Sequence, residues 1–403
     1  MKTIFLLITA ITLPSVAVAE KVTYTVSAGK FDRRYSIVTA PLPSNPTPFL
    51  KQMNLVSLDS GRSVPCQLSF AGNPKQLVWI LDEPLAAGKT RKYEMRSEPA
   101  KKRTLQTVQV IPGKKDYLSL QIGKREILRY NYALIPSPIK GKPYYRRSGY
   151  IHPVFNPAGQ MVTDDFSPDH PHQHGIMYPW QNTRFEGRSL NFWEQTPGMG
   201  AGIYHSRIKS IVTGPVYGGL FVELKHLERT GKEFKPVLTE DWDLIAYRFE
   251  KEFIFDLVSK QRCATKSPLK ILKFHYGGLA IRGHREWTKK YGNFLTSAGK
   301  TRRNGNHSRP RWVDINGPVK GKTTGMTVFC HPQNFRFPQA VRLHPAMPYF
   351  CFAPMVNGSW SIEPGKPYRT KYRFYVHMGK LDVNRAESIW NDYAHPLKVT
   401  IGK

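Results

Sequence analysis

The sequence predicts an all-β protein whose main body is a large antiparallel two-sheet sandwich. Apolar and polar residues alternate at residues 118–122, 220–224 and 372–376, and a period of two is the pattern of half-buried antiparallel strands. The 32 prolines and 31 glycines that punctuate the chain are typical of a β protein rich in turns. Because two such sheets bury their apolar faces against each other, a sandwich is the expected architecture.

Three segments are expected along the chain. A leader covers residues 1–19, a small β-sandwich-like unit covers 20–104, and the large sandwich covers 105–403. The second boundary is placed after the polar run at 98–103, which contains a proline and three basic residues. A short C-terminal helix is expected at 381–393, where apolar residues fall on one helical face.

The leader has the composition of a secretory signal peptide. Lys2 precedes an apolar run at residues 4–13, and Ala17-Val18-Ala19 has the small-residue pattern of a cleavage site. Cleavage near Ala19 would leave a periplasmic or secreted protein. No later segment approaches the roughly 20 apolar residues of a membrane-spanning helix, so a membrane-spanning protein is not expected.

The chain is strongly basic. It has 60 Lys and Arg against 29 Asp and Glu, for a formal net charge of +31. Outside the cytoplasm nucleic acid is not the expected partner, whereas acidic glycans are available, and Arg and Lys bind uronate and sulfate groups through charge-assisted hydrogen bonds. The expected partner is therefore a carbohydrate, with an anionic polysaccharide as the specific case. The alternative is that the charge reflects lineage or habitat alone.

The cysteine pattern excludes two common motifs. Cys66, Cys263, Cys330 and Cys351 form no C-x-x-C pair, so a zinc ribbon or a thioredoxin-like motif has no support. Export permits disulfides, and a Cys330–Cys351 pair is one option. Four free buried thiols are the other.

The most informative stretch is rich in histidine. His170, His172 and His174 alternate, and alternate side chains of an extended chain share one face. Pro171 favours that extended conformation at His170. Three carboxylates lie within ten residues upstream of these histidines, among them Asp165.

Four uses of this stretch stay open. The three imidazoles His170, His172 and His174 could bind a transition metal, with a carboxylate orienting one ring. They could act as acid or base on a sugar, with Asp165 or Glu186 assisting. They could also hydrogen-bond sugar hydroxyls without catalysis, or form a polar turn.

Aromatic and charged residues follow the histidines directly. Trp180 and Trp193 are interleaved with Arg184, Glu186 and Arg188. Aromatic faces stack on sugar rings while polar tips bind hydroxyls, so this composition is typical of a carbohydrate cleft. Core packing explains either tryptophan alone equally well.

Two later residues are candidates for the same site. Arg282 comes shortly after a Gly-Gly turn, and His331 ends an apolar strand. With Arg184 and Arg188, Arg282 could neutralise a uronate or a sulfate. Clamping a uronate carboxylate acidifies the adjacent proton, so β-elimination is one reaction that the sequence permits.

Several motifs together resemble a bacterial family of unknown function that carries the label "methane oxygenase PmoA family". They are Ser148-Gly149-Tyr150-Ile151-His152-Pro153, Val162-Thr163-Asp164-Asp165, His170-Pro171-His172-Gln173-His174-Gly175, Tyr276-Gly277-Gly278-Leu279-Ala280-Ile281-Arg282-Gly283, Arg311-Trp312-Val313-Asp314 and Gly325-Met326-Thr327-Val328-Phe329-Cys330-His331-Pro332-Gln333-Asn334. The resemblance covers roughly residues 115–395 and implies a galactose-mutarotase-like supersandwich. It carries over no established catalytic residues. Such relatives usually have three consecutive histidines before the glycine, whereas Gln173 replaces the middle one here.

The sequence therefore predicts an exported carbohydrate-active protein that uses acid/base chemistry, of hydrolase, lyase or epimerase type. One alternative is a metal-dependent hydrolase or oxidoreductase built on the three histidines. Another is a non-catalytic glycan-binding protein. The sequence requires no cofactor, and a divalent metal belongs only to the first alternative.

Overall fold

The computed structural model describes residues 21–50, 53–70, 75–97, 106–196, 198–230 and 233–402. The predicted leader, residues 1–19, lies outside this part. Within it the chain is an all-β protein built of antiparallel sheets, which confirms the predicted fold class. No helix in the described ranges is long and apolar enough to cross a membrane.

The first part of the chain forms seven strands and one short helix. They are β1 (Lys21–Ser27), β2 (Ile37–Pro41), α1 (Thr47–Leu50), β3 (Asn54–Ser57), β4 (Ser63–Val64), β5 (Cys66–Leu68), β6 (Gln76–Ile80) and β7 (Thr90–Arg96).

The described residues from 106 onward form 23 strands and one longer helix. They are β8 (Val108–Gly113), β9 (Tyr117–Ile122), β10 (Arg125–Asn131), β11 (Tyr150–Val154), β12 (Asp165–Ser167), β13 (His170–His174), β14 (Ile176–Met177), β15 (Thr183–Phe185), β16 (Arg188–Leu190), β17 (Ala201–Val212), β18 (Tyr217–Thr230), β19 (Glu233–Tyr247), β20 (Phe253–Cys263), β21 (Leu269–Ile271), β22 (Leu279–Arg282), β23 (Asn293–Thr296), β24 (Trp312–Val319), β25 (Lys322–Cys330), β26 (Val341–Leu343), β27 (Tyr349–Phe352), β28 (Trp360–Ile362), β29 (Tyr368–Met378), α2 (Val383–Ala394) and β30 (Lys398–Gly402). Two 3-10 helices lie at Pro143–Tyr145 and Pro354–Asn357.

The N-terminal strands form a small unit with its own core. One sheet has the order β30-β1-β7-β3-β4 and the other has the order β2-β6-β5. Tyr24, Trp79 and Tyr93 meet edge to face in the core of this unit. The last strand of the chain, β30, pairs with β1, so the predicted large domain at 105–403 gives its final strand to the N-terminal unit.

The main body is built on two eight-stranded sheets of order β26-β27-β22-β14-β11-β10-β9-β8 and β17-β18-β19-β20-β29-β25-β24-β23. A four-stranded sheet, β16-β15-β21-β28, and a two-stranded sheet, β12-β13, complete it. One large cluster of buried apolar residues draws on strands of both sheets. Phe255 and Phe374 illustrate its packing within the second sheet, because their rings stack with centroids 4.6 Å apart.

The predicted C-terminal helix is confirmed as α2. Asp382 caps its first turn by accepting hydrogen bonds from the backbone N–H groups of Asn384 and Arg385. Ile389 and Trp390 are buried in a cluster that also contains Trp312. The helix therefore covers the outer face of the second sheet.

All four cysteines are free thiols. Cys330 and Cys351 are both fully buried, and the Cys330 Sγ lies 3.4 Å from the Asn334 Nδ2. Of the two options left open by the sequence, the structure has four free thiols and no Cys330–Cys351 disulfide.

A close backbone contact at Gly175 positions β13, the strand that carries His170, His172 and His174. Gly175 separates β13 from β14 and has a φ of +28°. A Cβ at Gly175 would lie 2.1 Å from the backbone oxygen of Ile151, so only glycine fits. The backbone N–H of Arg282 donates to the Gly175 oxygen at 2.7 Å, which fixes β13 beside β22.

Candidate functional site

Strand β13 places its three histidines on one face, as alternation on an extended chain predicts. His170 is 38% exposed, His172 is half-buried and His174 is fully buried. The rings of His170 and His172 lie 5.4 Å apart. The row therefore runs from the surface into the interior.

His174 and Asp165 form a buried pair at the inner end of this row. The His174 Nδ1 lies 2.5 Å from one carboxylate oxygen of Asp165, and the Tyr150 hydroxyl donates to the other at 2.8 Å. The His174 Nε2 lies 3.1 Å from the Gln195 Oε1, whose orientation is set because the Gln195 amide donates to the Arg146 carbonyl. Both ring nitrogens of His174 thus face side-chain oxygens, and each can donate a hydrogen bond to its oxygen when it carries a proton.

The pKa of Asp165 lies below its ordinary value. Burial alone would raise this pKa, but the charge of His174 and the hydrogen bonds from His174 and Tyr150 outweigh it. Asp165 is therefore an ionised carboxylate that anchors His174 and has no free oxygen for a substrate.

His172 differs from His174 because its ring has no hydrogen-bond partner among the described residues. Burial, together with the charges of His170 and His174, lowers the pKa of His172 to about 3. At neutral pH this side chain is a neutral imidazole with its basic nitrogen unengaged. Its free nitrogen can accept a proton.

His344 joins the row from a distant part of the sequence. Its ring centroid lies 6.2 Å from that of His170. The His344 Nδ1 accepts from the backbone N–H groups of Ala346 and Met347 at 3.2 and 3.0 Å, so its proton is on Nε2. Burial and the charge of Arg342 lower the pKa of His344 to about 4. We call Asp165, His170, His172, His174 and His344 the histidine site.

Arg282 lies behind β13 and is only 3% exposed. Its Nη1 donates to the Gln173 Oε1 at 2.9 Å, and its Nη2 donates to Ser167 and Asp169 at 2.6 and 2.9 Å. The guanidinium expected to bind substrate therefore serves protein acceptors and braces the strand. Gln173, the departure from three consecutive histidines, points away from the row to make this bond.

The two tryptophans expected to stack on sugar are core residues. Trp180 is fully buried, and its indole N–H donates to the Gln261 Oε1 at 2.7 Å. Trp193 is 1% exposed and meets Tyr276 and Tyr349 edge to face. Neither ring presents a face to a ligand, which corrects the cleft expected from their spacing.

The charged residues between the tryptophans lie on an exposed hairpin formed by β15 and β16. The Arg188 guanidinium pairs with Glu228 and with Glu186, and Glu186 also accepts from Ser267 at 2.9 Å. The Arg184 guanidinium donates to the Gly187 carbonyl at 3.4 Å, its one side-chain hydrogen bond within the described residues. The structure describes no contact between this hairpin and the histidine site, because β15 pairs with β21 instead of β13.

His331 lies with helix α2 and not with β13. Its ring meets Tyr393 edge to face at 4.8 Å, and its Nδ1 accepts from the Gln333 backbone N–H. Burial lowers the pKa of His331 to about 4, with the charge of Lys371 as the next cause. His331 directly follows the end of a strand, β25, as the sequence predicted. The structure describes no contact between His331 and β13.

No group of three or more His, Cys, Asp or Glu in the described ranges is arranged to hold a metal ion. His174 uses both ring nitrogens for Asp165 and Gln195, so the alternating set of His170, His172 and His174 does not converge on one point. Two surface pockets of about 380 and 410 Å³ lie elsewhere, beside Phe155 and Tyr291, and no residue of the histidine site lines them.

Sequence reasoning missed Arg147. It is 1% exposed and none of its guanidinium nitrogens has an acceptor among the described residues. Its charge acts on Tyr150 and Asp165, and it contributes to the low pKa of His172. No local pattern in the sequence marks this arginine, because its neighbours come from distant strands.

A substitution separates the core role of Trp180 from a ligand role. We expect Trp180→Phe to lower the free energy of unfolding by about 2–3 kcal/mol, because it leaves a cavity and an unpaired Gln261 amide oxygen. Urea unfolding would measure this as a lower midpoint with an unchanged slope. Saccharide binding by the folded variant should equal that of the wild type, and a selective loss of binding would contradict the core assignment.

The sequence matches no curated protein. The structure is similar to an alpha-mannosidase from Enterococcus faecalis V583, at 9% identity and a TM-score of 0.47, over 95% of this chain and 46% of the other. It is also similar to the GH36 alpha-galactosidase AgaB from Geobacillus stearothermophilus, at 11% identity and a TM-score of 0.29, over 70% and 41%. A galactose mutarotase related enzyme from Lactobacillus acidophilus is matched at 8% identity and a TM-score of 0.25, over 68% and 100%.

This chain spans less than half the length of the mannosidase that it resembles. A family profile matches residues 117–391, the range that contains both large sheets apart from β8 and the whole histidine site. The resemblance read from the sequence motifs covers nearly the same range. The chain belongs to the family of unknown function DUF6807.

Proposed function

We propose that the protein is an exported carbohydrate-active enzyme that uses the histidine site for acid/base chemistry, with His172 as the base. One observation carries this proposal: a neutral, unbonded imidazole lies beside a fixed Asp165–His174 pair. A base must be deprotonated at the working pH and free to approach the proton that it takes. His172 meets both conditions.

The chemistry of the surrounding groups supports a polyhydroxylated ligand. Imidazole, phenol and guanidinium groups bind hydroxyls and oxyanions, and the formal charge of +31 favours an acidic one. Export of the chain, which this proposal includes, would bring the protein into contact with such glycans.

In this proposal the members of the row have distinct tasks. His172 accepts a proton from the substrate, while His174 and Asp165 stay paired and hold the strand in register. His170 is the exposed ring and lies 3.6 Å from the Asp169 carboxylate, a position from which it can return a proton to a leaving oxygen. Hydrolysis, elimination and epimerisation all use this pair of transfers.

Ligand geometry does not favour the metal-dependent alternative, because His174 has no nitrogen available for a metal. Elemental analysis of the purified protein tests this alternative directly. A stoichiometric transition metal that disappears in the His170→Ala, His172→Ala double variant would favour it over metal-free proton transfer.

The decisive experiment compares His172→Gln with His331→Gln on a panel of neutral and acidic oligosaccharides. His331 is a suitable control because burial also keeps its imidazole neutral, but it contacts Tyr393 and not β13. We expect product from the wild type and the control, and a loss of roughly 10²- to 10⁴-fold in the His172 variant. Full activity of His172→Gln would overturn the proposal, and tight binding without product would favour a glycan-binding protein.

A further inference from the structure

Arg147 is held rigidly by backbone bonds on both sides. Its N–H donates to the Ile135 carbonyl at 3.1 Å, and its carbonyl accepts from the Ile135 N–H at 2.8 Å. The Ser148 hydroxyl accepts from the His205 N–H, and Gly149 packs so closely that a Cβ would lie 2.7 Å from Leu224. The position of the Arg147 side chain is thus set by the fold.

The Arg147 guanidinium is unlike the other buried arginines. Six arginines in the described ranges are buried, and Arg147 is the only one of them whose three side-chain nitrogens all have no acceptor. Arg373 shows the usual arrangement, because it donates to both oxygens of Asp256 at 2.7 and 2.8 Å. A buried cation without such a partner costs folding free energy, so its retention at this position calls for a ligand.

The nearest acidic groups are committed elsewhere. Glu240 accepts from His226, Trp242, Ser259 and Gln261, all at 3.1 Å or less. Both of its oxygens are therefore engaged inside the sandwich. Its charge acts on Arg147 without a hydrogen bond between the two.

The same holds for Asp165, which is bonded to Tyr150 and His174. Arg147 lies in the chain between two residues that are bonded to this pair or its partner: the Arg146 carbonyl accepts from the Gln195 amide that faces His174, and the Tyr150 hydroxyl donates to Asp165. A negative group of a ligand would be stabilised at this point by a guanidinium that no protein acceptor occupies.

We propose that Arg147 binds the oxyanion of an acidic sugar, either a uronate carboxylate or a sulfate ester, within the histidine site. This inference rests on the proposed function and names its substrate class. The guanidinium fork matches the paired oxygens of both groups. The free His172 ring would take a hydroxyl of the same ligand, so a sugar fits better than a small anion.

Ligand-induced thermal stabilisation and calorimetry test the proposal with defined probes. Glucuronate, galacturonate and glucose 6-sulfate are compared with glucose, and with acetate and sulfate at matched ionic strength. We expect the wild type to bind an acidic sugar about ten- to a hundredfold more tightly than glucose or the free anions. Whether the uronates or the sulfate ester bind identifies the source of the oxyanion.

Three variants give the proposal its controls. Arg147→Met should abolish the preference for acidic sugars and should unfold at the same or a higher temperature than the wild type without ligand, because an unpaired buried charge is removed. Arg147→Lys keeps the positive charge but not the forked guanidinium, so it should retain a reduced preference for acidic sugars. This variant tests the proposal if Arg147→Met misfolds. Arg184→Met, on the exposed hairpin, should bind as the wild type does.

The outcomes separate the two proposals. Equal affinity for glucose and glucuronate, unchanged in Arg147→Met, would overturn the inference about Arg147. Acetate or sulfate binding as tightly as the acidic sugars would also overturn it, since the ligand class would then be a simple anion. Arg147-dependent binding of an acidic sugar, together with full turnover in His172→Gln, would support the inference and overturn the proposed role of His172.

Discussion

Asp165→Ala is expected to lower the free energy of unfolding by about 3–5 kcal/mol. The substitution removes the carboxylate that is bonded to Tyr150 and His174, and it leaves both buried side chains without their partner. The loss should be large because His174 is fully buried and water cannot replace the carboxylate. Equilibrium unfolding in urea, followed by tryptophan fluorescence, would measure it.

Two further variants test the cause of this loss. Asp165→Asn keeps the volume and an acceptor for Tyr150 but not the charge, so it should be destabilised less than Asp165→Ala. Glu186→Ala removes an exposed carboxylate that is ion-paired with Arg188, and its stability should match that of the wild type. If Asp165→Ala lowered the free energy of unfolding by less than about 1 kcal/mol, water would hydrate the pair, and His174 would not be buried as the structure has it.

The elements that sequence analysis predicted well are those whose signal is local. Period-two patterns marked strands such as β9 and β29, and a one-sided apolar face marked α2. The shared face of His170, His172 and His174 follows from the same local rule, since each lies two residues from the next.

The residues whose roles the sequence analysis missed or predicted wrongly are those whose roles depend on contacts between distant parts of the chain. A tryptophan among charged residues has the same local pattern in a cleft as in a core, and only the Gln261 bond shows that Trp180 belongs to the core. His344 reaches His170 from 174 positions away. The partner of β30 is β1, at the other end of the chain, which no pattern within residues 398–402 could indicate.

Arg147 is the most instructive omission. The sequence suggested that arginines neutralise an acidic ligand and named Arg184, Arg188 and Arg282, which are conspicuous near the motifs. In the structure Arg188 and Arg282 donate hydrogen bonds to protein side chains, whereas the Arg147 guanidinium has no acceptor among the described residues. Availability of an arginine depends on which acceptors the fold brings to it, and this is a property of tertiary structure.

His172→Gln is expected to make the protein more resistant to acid. The folded-state pKa of His172 is about 3, below its ordinary value of 6.5, so protonation favours the unfolded chain. The stability that depends on the neutral ring is fully present above pH 6.5 and is lost as the pH falls towards 3. From pH 6.5 to 4 the wild type should lose about 3 kcal/mol through this group, and the variant should lack that loss.

His331→Gln provides the matched comparison, because its pKa of about 4 gives an effect of the same sign. The two effects should add in the double variant, since the residues lie on different elements without a shared contact. An acid limb identical to that of the wild type in His172→Gln would mean that this ring has the same pKa in the folded and unfolded chain, so burial would not be what keeps it neutral.

A bound acidic sugar should change the pKa of His172 and leave the pKa of His331 unchanged. Its negative charge beside Arg147 would favour the imidazolium form of His172 and raise the pKa of that ring, while His331, packed against Tyr393, should titrate as before. Histidine ring proton shifts, followed by NMR with and without glucuronate, would report both pKa values. A shift confined to His172 would connect the ligand, the guanidinium and the base in one site, whereas equal shifts at both rings would place the ligand elsewhere.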